Sequence, residues 1–167
     1  MFTKLKHFER AWAFESENTL KLLRTLTDSS LSQAIAAEER TLGRIAWHLT
    51  TAIPEMIERT GLKLEGPGAE APLPAFARVI AEGYEKVAKS LLDVLPRSWN
   101  DETLQQVDDM YGEKWKRGVT LTVLISHQAH HRGQMTVLMR QAGLKVPGVY
   151  GPAREEWAGM GLKAPEI

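Results

Sequence analysis

The chain has 167 residues, which suits a single domain over residues 1–167 with room for a hydrophobic core. Lys plus Arg and Asp plus Glu both number 21, so the basic surplus of a typical nucleic-acid binder is absent. A formal charge of zero is also compatible with a homo-oligomer. There are no cysteines, which excludes a disulfide framework and a thiol nucleophile on the protein itself.

The N-terminal ten residues, MFTKLKHFER, lack the apolar stretch of a secretory signal peptide. No apolar run approaches the roughly 20 residues that a membrane span requires. We therefore expect a cytoplasmic protein that has neither a membrane nor a nucleic acid as its partner.

Helical periodicity predicts the first two elements, and no stretch of the chain alternates like a strand. The first helix is predicted over residues 3–26 and the second over residues 41–59. Thr41 is a good N-cap for the second helix, and Gly61 stands where a glycine commonly ends one. Pro54 lies inside this second helix, so we expect a kink there.

A loop rich in Gly, Pro and Ala, residues 62–73, is long enough for a crossover between parallel helices. Pro74 is predicted to open a third helix that ends near Leu95. Its predicted buried side comprises Phe76, Val79, Ile80, Tyr84, Val87, Leu91 and Leu92.

The remainder of the chain contains an ordered connection over residues 96–116, a fourth helix over residues 118–141 and an irregular tail from residue 144. A short helical piece is predicted within the tail, at residues 155–158. The fold class is therefore an all-α four-helix bundle, with a long crossover between the second and third helices.

Two histidines of the fourth helix, His127 and His131, are four residues apart and therefore lie only about 40° apart on one helical face. The apolar residues Leu124 and Leu138 share this face, so it points into the bundle. Two buried imidazoles without partners would leave ring nitrogens unsatisfied, and a shared metal ion removes that cost. The spacing is one that metal-binding helices use.

His48 is the only histidine of the second helix and is the candidate third ligand. Three histidines leave coordination positions for water or substrate, as in catalytic rather than structural metal sites. The alternative is that His48 is a hydrogen-bonded packing residue. His130 is expected at an interface or beside the ligands, and His7 at the surface. No Glu lies between His127 and His131, so the zinc-protease motif is absent.

The segment His127-Gln128-Ala129-His130-His131-Arg132-Gly133-Gln134 resembles the HxxxHRGQ signature of the DinB-like (damage-inducible) family of metalloenzymes. Arg44-Ile45-Ala46-Trp47-His48-Leu49 is similar to that family's ligand segment on the second helix, and Pro147 to Pro152 with the following Glu155-Glu156-Trp157 is similar to its tail. The resemblance implies an up-down-down-up bundle, commonly dimeric, with a divalent metal on His48, His127 and His131.

The same resemblance implies a function, because related branches include S-transferases that use low-molecular-weight thiols. We expect a metal-dependent enzyme of this kind that acts on a small-molecule substrate. A non-catalytic metal-binding stress-response protein and a metal-dependent hydrolase are the alternatives. Zn or Ni is the expected divalent ion, with Fe, Mn and Cu also compatible with imidazole ligands.

Three further residues of the motif have expected roles. Gln134 lies one turn beyond His131 and either orients a bound water or substrate or packs as an amide between helices. Arg132 points away from the ligand face and is expected in an ion pair or a dimer contact. Gly133 is expected to allow close approach of a neighbouring helix, since glycine otherwise weakens a helix by about 1 kcal/mol.

Overall fold

A computed structural model describes residues 1–166 as a mostly helical protein with four long helices and one small sheet. The elements are α1 (Leu5–Leu23), α2 (Leu42–Ile57), α3 (Ala77–Ser98), β1 (Val107–Met110), β2 (Glu113–Lys116) and α4 (Arg117–Gln141). The four predicted helices are confirmed, whereas the prediction of an all-α chain without strands is wrong.

The hydrophobic core lies between the helices, because α1 and α2 each pack against both α3 and α4. Phe8 and Trp12 of α1 are fully buried and stack on one another, with ring centroids 5.9 Å apart. Burial of one such large side chain stabilises the fold by about 1.5–3 kcal/mol. Over residues 1–166, no helix combines the length and the hydropathy needed to cross a membrane.

The ends of α2 follow the residues that the sequence singled out. The side chain of Thr41 accepts a hydrogen bond from the backbone N–H of Arg44, which satisfies one of the free donors of the first turn. At the other end, a 3₁₀ turn at Glu58–Thr60 leads to Gly61, whose φ of 84° lies in the left-handed region. Pro54 lies within the last turn of α2.

The start of α3 differs from the prediction. The helix begins at Ala77 rather than Pro74, and its first backbone N–H donates to Oδ1 of Asp28 at 2.7 Å. A capping carboxylate from another part of the chain therefore sets the boundary, and local sequence does not reveal it. Phe76 precedes the helix with extended backbone and is 59% exposed, and Val79 is 36% exposed, so their predicted burial is wrong.

Strands β1 and β2 form an antiparallel hairpin within residues 96–116, the segment that was predicted as an ordered connection without strands. Tyr111 and Gly112 turn the chain with φ values of 60° and 85°, and Oδ1 of Asp109 accepts the Gly112 N–H. Each strand has only four residues and little apolar alternation, so its periodicity is too weak to detect.

The tail from residue 144 is irregular, as predicted, although its 3₁₀ turn lies at Ala158–Met160 rather than at residues 155–158. Lys21 of α1 donates to the carbonyl of Gly148 at 2.8 Å. Arg140 of α4 forms an ion pair with Glu155. Polar contacts thus hold the tail against α1 and α4.

Candidate metal centre

The structure brings together the three histidines that the sequence singled out as ligands. Nε2 of His127 lies 3.1 Å from Nε2 of His48 and 3.2 Å from Nε2 of His131. One candidate ligand atom from each of the three rings falls within 4.8 Å of the others. Within residues 1–166, no other group of three or more candidate ligands is this close together.

The hydrogen bonds of these rings cannot all be satisfied by the rings themselves. Nδ1 of His131 lies 2.7 Å from Oε1 of Gln134 and donates its proton there, which leaves Nε2 of His131 as a bare acceptor. A single proton on Nε2 of His127 can serve His48 or His131, but not both. Nδ1 of His127 is buried without a partner.

A divalent cation fits this donor set. Zn–N bonds of about 2.0–2.1 Å in tetrahedral geometry separate two ligand nitrogens by about 3.3 Å. The Nε2 separations of 3.1 and 3.2 Å are close to that value. If all three Nε2 atoms carry free lone pairs at these separations, they repel each other unless a positive charge lies between them.

The electrostatic surroundings keep the rings neutral. Burial is the main cause that lowers the pKa of His48 and of His127 to about 4, and it also lowers the pKa of His131. The positive charge of Arg40 lowers the pKa of all three rings further. Neutral imidazoles carry the free lone pairs that a metal ion requires.

A buried glutamine joins the two helices that carry the cluster. Gln128 is fully buried, and its Nε2 donates to the backbone carbonyl of Leu49 at 2.9 Å. Its Oε1 accepts a hydrogen bond of 3.1 Å from the hydroxyl of Tyr84 on α3. Leu49 follows His48 in the chain and Gln128 follows His127, so this bridge ties together the backbone beside two of the three histidines.

Sequence reasoning did not identify this bridge, although a signal for it exists. Gln128 continues an apolar stripe of α4 at seven-residue and four-residue spacings, with Leu121, Leu124 and Met135. A polar residue inside such a stripe must find partners within the core. No comparable signal marks Arg40, which lies in the irregular segment before α2.

The remaining residues of the motif have structural contacts. Arg132 is buried and forms an ion pair with Glu15, and it also donates to Oγ1 of Thr19 and to the hydroxyl of Tyr150. The predicted ion pair of Arg132 is thereby confirmed. The predicted role of Gly133 is wrong, because a Cβ at that position would have no neighbour within 4 Å.

Three other polar residues lie outside the group of candidate ligands. His130 is exposed, and its ring lies 4.8 Å from that of His131 without joining the cluster. His7 is exposed on α1, as expected. Gln134 contacts His131 directly and does not pack between helices.

Two cavities are each lined by one of the three histidines. The larger, of about 500 Å³, is bounded by His131 and Gln134 of α4, by Arg40 and by a mainly apolar wall. The smaller, of about 300 Å³, opens beside His48 and contains Arg44. Each cavity therefore offers a space of small-molecule size beside one of the three candidate ligands.

The fold and the cluster define a mostly helical protein with a candidate three-histidine metal centre. The chain belongs to the DinB family, whose family model matches residues 1–166. It is 48% identical over 167 residues to the uncharacterized protein YrdA of Bacillus subtilis (strain 168), with both chains covered completely.

Solved structures show the same relationship. A DinB-like protein from Bacillus cereus ATCC 10987 is 49% identical, with a TM-score of 0.86 over 90% of this chain and 100% of the other. A DinB-like protein from Bacillus subtilis, YjoA, is 18% identical, with a TM-score of 0.67 over 86% of this chain and 96% of the other. The second likeness shows a shared fold.

Proposed function

We propose that His48, His127 and His131 together bind one divalent metal ion and that the protein is a metal-dependent enzyme. The observation that carries the proposal is the convergence of three Nε2 atoms with separations of 3.1 and 3.2 Å. Zn or Ni is the preferred ion, and Fe, Mn and Cu are the alternatives, because neutral imidazole ligands suit all of these metals to different degrees.

The reaction that we propose is transfer of a low-molecular-weight thiol to an electrophilic small molecule. A bound divalent ion would supply the charge that keeps an added thiol in its thiolate form at neutral pH. The sulfur would form a bond to the electrophilic carbon, the leaving group would depart with its bonding electron pair, and the thiol proton would pass to solvent. The chain has no cysteine, so the thiol must be added.

The residues of this chain would bind and orient the reactants. Gln134 would hold the ring of His131 with Nδ1 protonated, so that Nε2 keeps its lone pair. The cavity of about 500 Å³ beside His131 has the size of a small-molecule site and a largely apolar wall that would exclude water from the reacting atoms.

Elemental analysis of protein purified without a histidine tag tests the metal proposal. We expect about one metal ion per chain in the wild type and in His130→Ala, and a large loss of metal in His127→Ala. His130→Ala is the matched control, because His130 is a neighbouring histidine of the same helix outside the cluster. Equal metal content in all three proteins would rule the proposal out.

Assays of the metal-loaded protein with a panel of thiols and alkyl or epoxide electrophiles test the transferase proposal. We expect turnover only when both metal and thiol are present. Absence of turnover across the panel in protein that contains a full complement of metal would argue against transfer.

That outcome would favour a second candidate function, a non-catalytic metal-binding protein. A specific observation supports this second function. The cluster brings together His48 of α2 and His127 of α4, which are 79 positions apart in the chain. A metal bound there would stabilise the tertiary structure without any reaction.

We further propose that the helices form an up-down-down-up bundle and that the protein is a homodimer. The long connection from Ile57 of α2 to Ala77 of α3 supports the topology, since parallel neighbours need a crossover. The formal charge of zero supports self-association. Sedimentation equilibrium should give about twice the mass of one chain, and a monomer at micromolar concentration would contradict the dimer.

A further inference from the structure

The cavity beside His131 combines an apolar wall with two groups of opposite charge at its edge. Its lining comprises Ile35, Ile45, Val137, Leu138, Glu39, Arg40, His130, His131 and Gln134. Two of the apolar side chains are largely exposed, with Ile35 at 64% and Val137 at 49%. Exposed aliphatic groups that face a cavity next to a candidate metal centre are available to contact the body of a small ligand.

The charges around the cluster favour a negatively charged ligand. Three neutral imidazoles leave the full charge of a divalent ion uncompensated, and the candidate ligand group contains no carboxylate. Arg40, which lines the cavity, adds a second positive charge, and this charge lowers the pKa of all three rings. Two acidic residues lie near these groups. Glu55 raises the pKa of His48, a residue that lines the smaller cavity, and Glu39 lies beside Arg40 in the lining of the larger cavity.

We propose that this cavity binds an organic monoanion with an apolar body. The anionic head group, a carboxylate or a thiolate, would be attracted by the metal and by Arg40, and the body would contact Ile35, Ile45 and Val137. The inference rests on the proposed metal site and adds the chemical class of the ligand. Arg40 is then the residue that selects the charge of the ligand.

Isothermal titration calorimetry of the zinc-loaded protein tests this with three six-carbon probes: hexanoate, hexanethiol and hexanol. We expect hexanoate or hexanethiol to bind at least about tenfold more tightly than hexanol, because hexanoate is an anion and hexanethiol becomes a thiolate when it loses its proton on binding to zinc. The two anionic probes distinguish a carboxylate from a thiolate. Acetate should bind at least about fivefold more weakly than hexanoate, because it lacks the apolar body.

Two arginine variants provide the matched comparison. Arg40→Ala should weaken binding of the preferred anion by about five- to tenfold, whereas Arg44→Ala, which alters the cavity beside His48, should change it by less than about twofold. Equal binding of hexanol and the anions, no measurable binding of any probe, or equal effects of the two variants would overturn the inference.

Metal content measured before each titration separates this inference from the proposed function. Zinc that is bound to wild-type protein without any preference for the anionic probes would contradict the ligand class alone. Failure to bind zinc at all would overturn both proposals together.

Discussion

Two glutamines of α4 determine how the candidate ligands are presented. Oε1 of Gln134 accepts a hydrogen bond from the Nδ1–H of His131 and so leaves the lone pair of that ring on Nε2, within the cluster. Gln128 is fully buried and contacts the backbone of α2 one residue beyond His48. A metal site depends on such outer contacts because each ring must be both oriented and placed.

Replacement of Gln128 by leucine should therefore destabilise the protein and weaken metal binding. The variant leaves the buried hydroxyl of Tyr84 without its acceptor, which costs about 1–3 kcal/mol of unfolding free energy. Urea denaturation of the metal-free protein measures this, and zinc titration measures the affinity. Gln141→Leu at the exposed end of α4 is the control and should change stability by less than about 0.5 kcal/mol. An unchanged zinc affinity in Gln128→Leu would contradict a positioning role.

The lowered pKa values of the cluster predict how metal binding depends on pH. Because the pKa of His48 and of His127 is about 4 in the metal-free protein, both rings are already deprotonated at neutral pH. Protons compete with the metal only below neutral pH, because the pKa of His131 is lowered as well, so the affinity should be nearly constant from about pH 8 to about pH 7 and fall as the pH approaches the lowered pKa values of the three rings. Calorimetry in buffers of different ionisation enthalpy should show almost no proton release at pH 7. Release of one proton or more would contradict the prediction.

At the scale of elements, Arg117 joins the β1–β2 hairpin to the 3₁₀ turn that follows α2. Arg117, at the start of α4, forms a two-point ion pair with Asp108 of β1 and donates to the carbonyl of Thr60. Both charged side chains of the pair are only 14% exposed. The guanidinium also lies 4.8 Å from the ring centroid of Trp99. The side chain of Arg117 therefore contacts the hairpin, the turn after α2 and the connection before β1, all from the start of α4.

The variant Asp108→Asn should lower the unfolding free energy by about 1–3 kcal/mol, because it leaves a mostly buried guanidinium without its counter-charge. The neighbouring variant Asp109→Asn is the control. Its ion pair with Lys114 is exposed, and the amide oxygen of asparagine can still accept the Gly112 N–H, so a loss of less than about 1 kcal/mol is expected. Urea unfolding curves of the two variants compare them directly. Equal losses would show that burial of the Arg117 pair does not matter.

At the scale of the whole molecule, the cluster links distant parts of the chain. His48 and His127 are 79 residues apart in sequence, yet their Nε2 atoms lie 3.1 Å apart. The buried ion pair of Arg132 with Glu15, to which the Tyr150 hydroxyl also bonds, similarly joins α4 to α1 and to the tail. A ligand that binds only to the assembled cluster stabilises the entire tertiary structure, because the unfolded chain cannot offer the three rings together.

Metal should consequently raise the melting temperature. At a free zinc concentration of about 100 times Kd, binding adds about 2.7 kcal/mol, which corresponds to roughly 5–10 °C for a protein of this size. Differential scanning calorimetry with and without chelator measures the shift. His130→Ala should keep the shift and His127→Ala should lose it. An equal shift in both variants would place the stabilising metal elsewhere.

Local patterns in the sequence determined the four helices, the Thr41 cap, the Gly61 end of α2 and the inward face that His127 shares with His131. These features depend on residues within a few positions of one another, so periodicity and capping chemistry are sufficient to predict them. From the pattern of residues alone, His48 was only a candidate for the third ligand, because no local rule states which residue of α2 will face α4.

The tertiary structure alone decided the features that depend on distant partners. Asp28 sets the start of α3 from 49 positions away, and Gln128 reaches the carbonyl of Leu49 across 79 positions. The hairpin was also missed, because its short strands gain stability from their pairing and from Arg117 rather than from an apolar pattern of their own. Contacts of this kind form only when the helices have packed, and packing is a property of the whole chain.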